Sequence, residues 1–441
     1  MFKTLRNAFK IQDIRKRMLF TFFMLIVVRL GAAIPTPGVK RGVMESFFAS
    51  LSGSSGALDL FSAMTGGSLE NMSIFALSIT PYITSSIIMQ LLTIAIPKLE
   101  EMQKEGEDGR KKIREITRYV TIGLSVIQSL AMGINFARGG SLDYNNAFGV
   151  IVTVLSLTGG SALLMWIGEQ ITTHGVGNGI SIVLLINILS RLPQDFGSLY
   201  EKFIKGATNI VTGGLAALVI IAVIVFTVIF VVYLQDAERR IPVQYSKKVV
   251  GRKTFGGQST HIPLKVNTGG VIPVIFASSL MSFPVVISEF LKVDPLSVPG
   301  HILRALNSSS WFRPEAPIYS VGVLIYIGLV VVFAYFYTSI TFNPLEIANN
   351  MKKAGGFIPG IRPGKPTSDY LSGILTYIIF IGACGLVIVC LIPIIASGVF
   401  NINRLSFGGT SLIIIAGVIL ETIKAIEAQL LVRNYRGFLN D

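Results

Sequence analysis

Ten apolar runs, each near the length of a membrane crossing, constrain this chain more than any single motif. They cover about 18–37, 72–96, 116–136, 147–168, 180–193, 212–235, 269–291, 319–343, 370–394 and 408–427. The hydrocarbon core of a bilayer takes roughly 20 mostly apolar residues in a helix. The fifth run is short. Composition supports the same reading: 14% of residues are charged and the mean hydropathy is +0.65, whereas soluble domains carry about 25% charged residues. The expected fold class is an all-α integral membrane protein with ten transmembrane helices.

Residues 1–17 are basic and 18–34 apolar, an arrangement that superficially fits a cleaved leader. Arg29 interrupts the apolar run, Pro35 and Pro37 follow it, and nine more runs come after. The first run is expected to be retained as a span.

The distribution of Lys and Arg orients the chain. Of the 38 such residues, 25 fall in the tails and loops of one side, 9 on the other, and four (Arg29, Arg118, Arg191, Lys424) within spans. Cytoplasmic loops carry the excess of Lys and Arg, so both termini are expected in the cytoplasm. The same asymmetry accounts for most of the net charge of +14 without DNA as a partner. Ten spans also permit an odd-numbered half to be duplicated upside down. The expected division is an N-terminal half, 1–208, and a C-terminal half, 209–441, inverted about a central pore.

Chemistry is sparse. His174, His261 and His301 lie in three separate polar segments, and no metal-ligand spacing is present. Cys384 and Cys390 share one apolar run but point different ways, since six residues turn a helix by about 240°. Both read as free thiols. No Asp or Glu lies mid-span; Glu289 and Glu421 sit near span ends. Ion-coupled transporters place acids near the bilayer centre, so a secondary transporter for small solutes is the weaker reading. The run Gly175-Val-Gly-Asn-Gly179 lacks the Lys of a phosphate loop and reads as a tight interhelical turn. No Ser/His/Asp or paired-Asp set appears within the spans, against an intramembrane protease or other enzyme. No cofactor is expected.

Two further features attract notice. Residues 56–67 form a half-apolar segment between glycines, too short to span. It fits either a movable stopper or a surface helix. Ile79 and Ile83, and likewise Leu184 and Ile188, are spaced to share a helix face. Ordinary packing explains such spacing, and so does one wall of an apolar constriction.

Several long motifs, in order along nearly the whole chain, resemble the SecY family of channel subunits. They include Gln235-Asp-Ala-Glu-Arg-Arg-Ile-Pro242, the run from Asn343-Pro-Leu-Glu through Gly-Ile-Arg362-Pro-Gly-Lys365, Gly408-Gly-Thr-Ser-Leu412, and Glu427 to Phe438. The resemblance implies a protein-conducting channel of the bacterial cytoplasmic membrane. It would pass unfolded polypeptides across the bilayer and release transmembrane segments sideways into lipid, with no catalysis of its own. It implies a constricting ring at Ile79, Ile83, Leu184, Ile188, Ile275 and Ile414, with Leu184 departing from the usual isoleucine. Residues 56–67 match the plug, with Gly56, Leu58, Leu60, Phe61, Met64, Gly66 and Gly67 singled out. A lateral gate between the second and seventh spans would place Thr84 opposite Phe283. Loops 236–268 and 344–369 match those that meet the SecA motor, the ribosome or phosphates of ribosomal RNA, through Arg239, Arg240, Arg252, Lys253 and Arg362. Further implied partners are the SecE and SecG subunits, signal peptides, translocating polypeptides and membrane lipids.

Overall fold

The computed structural model describes residues 6, 8–40, 65–138, 140, 142, 146–201, 210–245, 248–250, 253–255, 259–291, 297–307, 311, 317–400 and 409–437. Each of the ten apolar runs contains most of a helix. The first four of them are α1 (Gln12–Ala33), α2 (Thr80–Ala95), α4 (Glu107–Arg138) and α5 (Ala147–His174), with the short α3 (Pro97–Lys104) after α2. Next come α6 (Gly179–Leu199), α7 (Ile210–Asp236) and α8 (Ile272–Leu291). The last are α10 (Val321–Thr341), α12 (Lys365–Phe400) and α13 (Gly409–Gly437). Short helices α9 (Val298–Leu306) and α11 (Pro344–Lys353) lie between spans.

Among the described residues, four helical stretches are long and apolar enough to cross a bilayer: Glu107–Arg138, Ala147–His174, Ile318–Lys353 and Lys365–Ile392. Their outer faces carry exposed Leu155, Phe148, Leu324 and Tyr377, the pattern of a surface solvated by lipid rather than water. The pair α2 and α3 is bent by 100°. Pro97 causes the bend: it lacks an N–H, and it pushes Ile96 into extended backbone (φ −112°, ψ 111°).

The second run departs from its expected boundary. Its helix begins at Thr80, not near residue 72, with Pro81 in the first turn, where a missing N–H costs nothing. Residues 65–79 instead form consecutive turns, mostly buried. Met72 and Ser78 take left-handed backbone (φ 44° and 52°), which is costly for residues with a Cβ. The turns are tied to the end of α1 by Thr36 N–H to Met72 O (2.7 Å) and Ile74 N–H to Ile34 O (3.0 Å). Phe75 fills the gap between Gly31 of α1 and Gly160 of α5.

Helix packing follows one pattern twice. In the first five spans, α1 packs on α5 and α6, α2 on α4, α4 on α5, and α5 on α6. In the last five, α7 packs on α12 and α13, α8 on α10, α10 on α12, and α12 on α13. Matching the spans in order maps each contact of one set onto a contact of the other. Among the described residues, the larger contacts joining the sets are a broad one between α6 and α13 and a smaller one between α4 and α8; α1 also meets α13 through Ile14 and Ile426.

The loop after α7 is not helical. Strands β1 (Glu238–Tyr245) and β4 (Ser259–Lys265) pair antiparallel, with Ile241 opposite Ile262. Strands β2 (Lys248–Val250) and β3 (Lys253–Phe255) form a small ribbon between them. A two-residue strand β5 (Gly356–Phe357) joins the other edge of β1. Ile241, Val243 and Leu264 point to one face and pack with Met351, Ile358 and Leu371. The two long polar loops are thus a single body.

Gly160 gives a test of the packing. An added Cβ would sit 1.9 Å from the Ile74 carbonyl oxygen, while at the neighbouring Gly159 nothing lies within 4 Å. Gly160→Val should cost about 1–3 kcal/mol by overpacking and lower the thermal midpoint of the detergent-solubilised protein, with Gly159→Val close to the parent. Equal midpoints for the two variants would contradict this packing.

Candidate functional site

The six apolar residues expected to form a ring come from four helices, and the structure brings them together. Ile79 is the residue preceding α2 and Ile83 lies one turn in, its N–H donating to the Ile79 carbonyl (3.1 Å). Leu184 and Ile188 are four apart on α6, Ile275 is near the start of α8, and Ile414 is near the start of α13. Five of them are buried in one apolar cluster, and Ile275, partly buried, packs against it. The cluster draws residues from both sets of five spans. Its wall has no polar side chain among these six, so water entering it would lose hydrogen bonds without replacement.

Polar contacts flank the cluster on α6. Asn187 donates through Nδ2 to Ser78 Oγ (3.1 Å). Ser161 of α5 donates to the Ser78 carbonyl (3.3 Å). These two contacts hold Ser78 in its left-handed conformation. One turn along α6, Ser190 Oγ lies 2.7 Å from the Asn187 carbonyl and 3.4 Å from the Gly66 carbonyl. Arg191 then pairs with Glu70 at 2.7 Å, its side chain only 6% exposed. A buried guanidinium without its carboxylate would be strongly unfavourable. Asn187, Ser190 and Arg191 therefore fasten the 66–78 turns to α6.

Gly66 shows why glycine is required there. Its φ is +64°, and an added Cβ would meet the Asn187 backbone at 2.8 Å. Gly67 follows with φ +81°. Gly56, Leu58, Leu60, Phe61 and Met64 lie outside the described residues. Of the expected plug segment, only residues 65–67 are described.

Thr84 is half-buried on α2 and donates to the Thr80 carbonyl of its own helix (3.1 Å). Phe283 lies on α8 just before Pro284, with its side chain outside the described set. Arg239 and Arg240 are exposed on β1, and Arg240 pairs with Glu238 at 2.8 Å. Lys253 opens β3, Arg252 is outside the described residues, and Arg362 is exposed between β5 and α12. Among the described residues no group of His, Cys, Asp or Glu is placed to hold a metal ion. Cys384 and Cys390 are free.

The latch on α6 was not singled out from sequence. Its signal was present: Arg191 and Asn187 are polar groups in an apolar run, which marks them as paired or functional.

A family model for SecY matches residues 73–423. The chain belongs to the SecY family. It is 42% identical to the protein translocase subunit SecY of Streptomyces scabiei, over 100% of both chains. Against the protein translocase subunit SecY of Halalkalibacterium halodurans the identity is 43%, again over 100% of both. A solved structure described as that of a protein conducting channel superposes with a TM-score of 0.62 at 17% identity, covering 94% of this chain and 92% of that one. The SecY match begins at Ser73, so it includes all six ring candidates and the α6 latch residues but not Glu70.

Removing the Asn187 amide tests the latch. Asn187→Ala deletes a buried hydrogen bond worth about 1–2 kcal/mol, so amide exchange across residues 66–78 should quicken by roughly ten-fold. Exchange elsewhere on α6 should change little. Unaltered protection at 66–78 would show that these turns are held by other contacts.

Proposed function

We propose that this chain is the channel-forming subunit of a protein translocase. It gives unfolded secretory polypeptides a path across the bacterial cytoplasmic membrane and lets apolar segments leave sideways into lipid. The observation that carries the reading is the meeting of Ile79, Ile83, Leu184, Ile188, Ile275 and Ile414, from four helices, within one apolar cluster. In this reading the six form the constriction between an N-terminal half, 1–208, and a C-terminal half, 209–441. The repeated packing pattern supports that division. An apolar constriction excludes water and ions at rest, and flexible aliphatic side chains yield around a passing chain.

The chain spans the membrane ten times with both termini in the cytoplasm, on the strength of its Lys and Arg asymmetry. Residues 56–67 are the plug, pivoting at Gly66 and Gly67 while the latched turns stay fixed. Thr84 and Phe283 face each other at the lateral gate. The chain is not an enzyme and binds no cofactor, so energy comes from partners: the SecA motor or a translating ribosome. SecE and SecG complete the assembly. Arg239, Arg240, Arg252, Lys253 and Arg362 form the docking surface, meeting acidic side chains or ribosomal RNA phosphates, the arginines through the planar guanidinium fork and Lys253 through its ammonium.

Two measurements test this. Replacing Ile83, Ile188 and Ile414 together by Ser should raise resting ion conductance of proteoliposomes by about ten-fold, because a wetted constriction no longer blocks ions. An unchanged seal would remove the ring from this site. Separately, Arg362→Glu should insert normally yet lower SecA-driven precursor import by about ten-fold, as expected when a desolvated charge contact is reversed. Full import by correctly inserted Arg362→Glu/Arg252→Glu protein would leave these residues with a topological role only.

A further inference from the structure

Helix α9, between α8 and α10, has three distinct flanks. At about 100° per residue, Gly300 and Leu303 lie on one side, Val298, Pro299 and Ile302 on a second, and His301 and Arg304 on a third. Gly300 is buried and Leu303 half-buried against the protein. Val298 and Ile302 are 75% and 57% exposed. His301 and Arg304 are exposed as well. An apolar flank beside a polar one, both exposed among the described residues, is the composition of a helix lying in a membrane interface.

The helix is held rigidly. Ser297 caps its start by accepting from the Gly300 N–H (3.2 Å). His301 Nδ1 lies 2.8 Å from the Tyr319 hydroxyl, and the two rings stack at 6.3 Å. Trp311 donates through Nε1 to the Ala305 carbonyl (2.7 Å). Gly322 lets α10 approach so closely that an added Cβ would sit 1.9 Å from the Ala305 oxygen. These contacts fix α9 against the 3-10 turn Pro317–Ser320 and the first turn of α10, where Ile318, Val321 and Leu324 are 74%, 51% and 69% exposed. The exposed flank of α9 therefore borders the lipid-facing side of a span. It lies at the end of α8 and α10 opposite the basic hairpin, because β4 leads directly into the start of α8.

We propose that α9 is a lipid-binding element. It rests in the outer leaflet with Val298 and Ile302 in the acyl region and Arg304 at the phosphates. The proposal rests on α10 being a membrane span. A second protein chain covering the same flank is the alternative occupant. Lipid is favoured because the apolar flank adjoins a surface that lipid already solvates, and because the cation lies beside that flank and not within it.

The full-length protein, with Cys384→Ser to remove the half-buried thiol, can be labelled with bimane at Ile302→Cys, Arg304→Cys or Leu324→Cys and placed in nanodiscs of ordinary or dibrominated phosphatidylcholine. Brominated acyl chains should quench Leu324→Cys strongly and Ile302→Cys by about half, given a depth of 5–10 Å for interfacial helices, with Arg304→Cys nearly unquenched. Quenching at 324 but water-like emission at 302 overturns the proposal alone. Quenching at 324 with blue-shifted, unquenched emission at 302 overturns it in favour of a protein cover. No quenching at 324 overturns both the proposal and the reading of α10 as a span.

Discussion

Backbone in a bilayer must satisfy its own hydrogen bonds, and the run 65–79 is where this chain meets that demand without a helix. Non-helical backbone at membrane depth is tolerated where it is buried in protein. Here the partners are the end of α1, through Ile34 and Thr36, and the polar row Asn187, Ser190 and Arg191 of α6. The same turns set where α2 begins, and so where Ile79 and Ile83 point. They also begin at the two glycines that border the segment proposed as the plug. The apolar cluster thus depends on a polar device beside it.

The second organising feature is the joining of two distant loops. Strand β1 pairs with β4 on one edge and with β5, more than a hundred residues away, on the other. Its buried face packs on α11 and α12 through Met351 and Leu371. Arg239 and Arg240 therefore stand on the same rigid body as β5, which leads to Arg362. Charges fixed this way lose little side-chain and loop freedom when a partner arrives.

Much of this was legible in the sequence, because hydropathy reads solvent and the solvent here is lipid. All ten apolar runs hold helices. The late start of α2 was not legible: Ser78 is an L-residue forced into left-handed backbone by Asn187 and Ser161, which are over 80 residues away. The strands were obscured by Pro242 and Pro263, which weaken a strand signal, although both are accommodated in the β1–β4 pair. The ring is intermediate. Isoleucines four apart are ordinary in any span, and only the family resemblance picked out these six. Their convergence is a tertiary fact.

The two larger contacts between the sets of five spans are unequal, and this has a mechanical consequence. Helices α6 and α13 meet broadly and carry Leu184, Ile188 and Ile414, while α4 and α8 touch over a smaller area. In the proposed channel, a widening that kept the broader α6–α13 contact would strain the lighter α4–α8 contact first. The opening would then be one-sided, a hinge and not an iris.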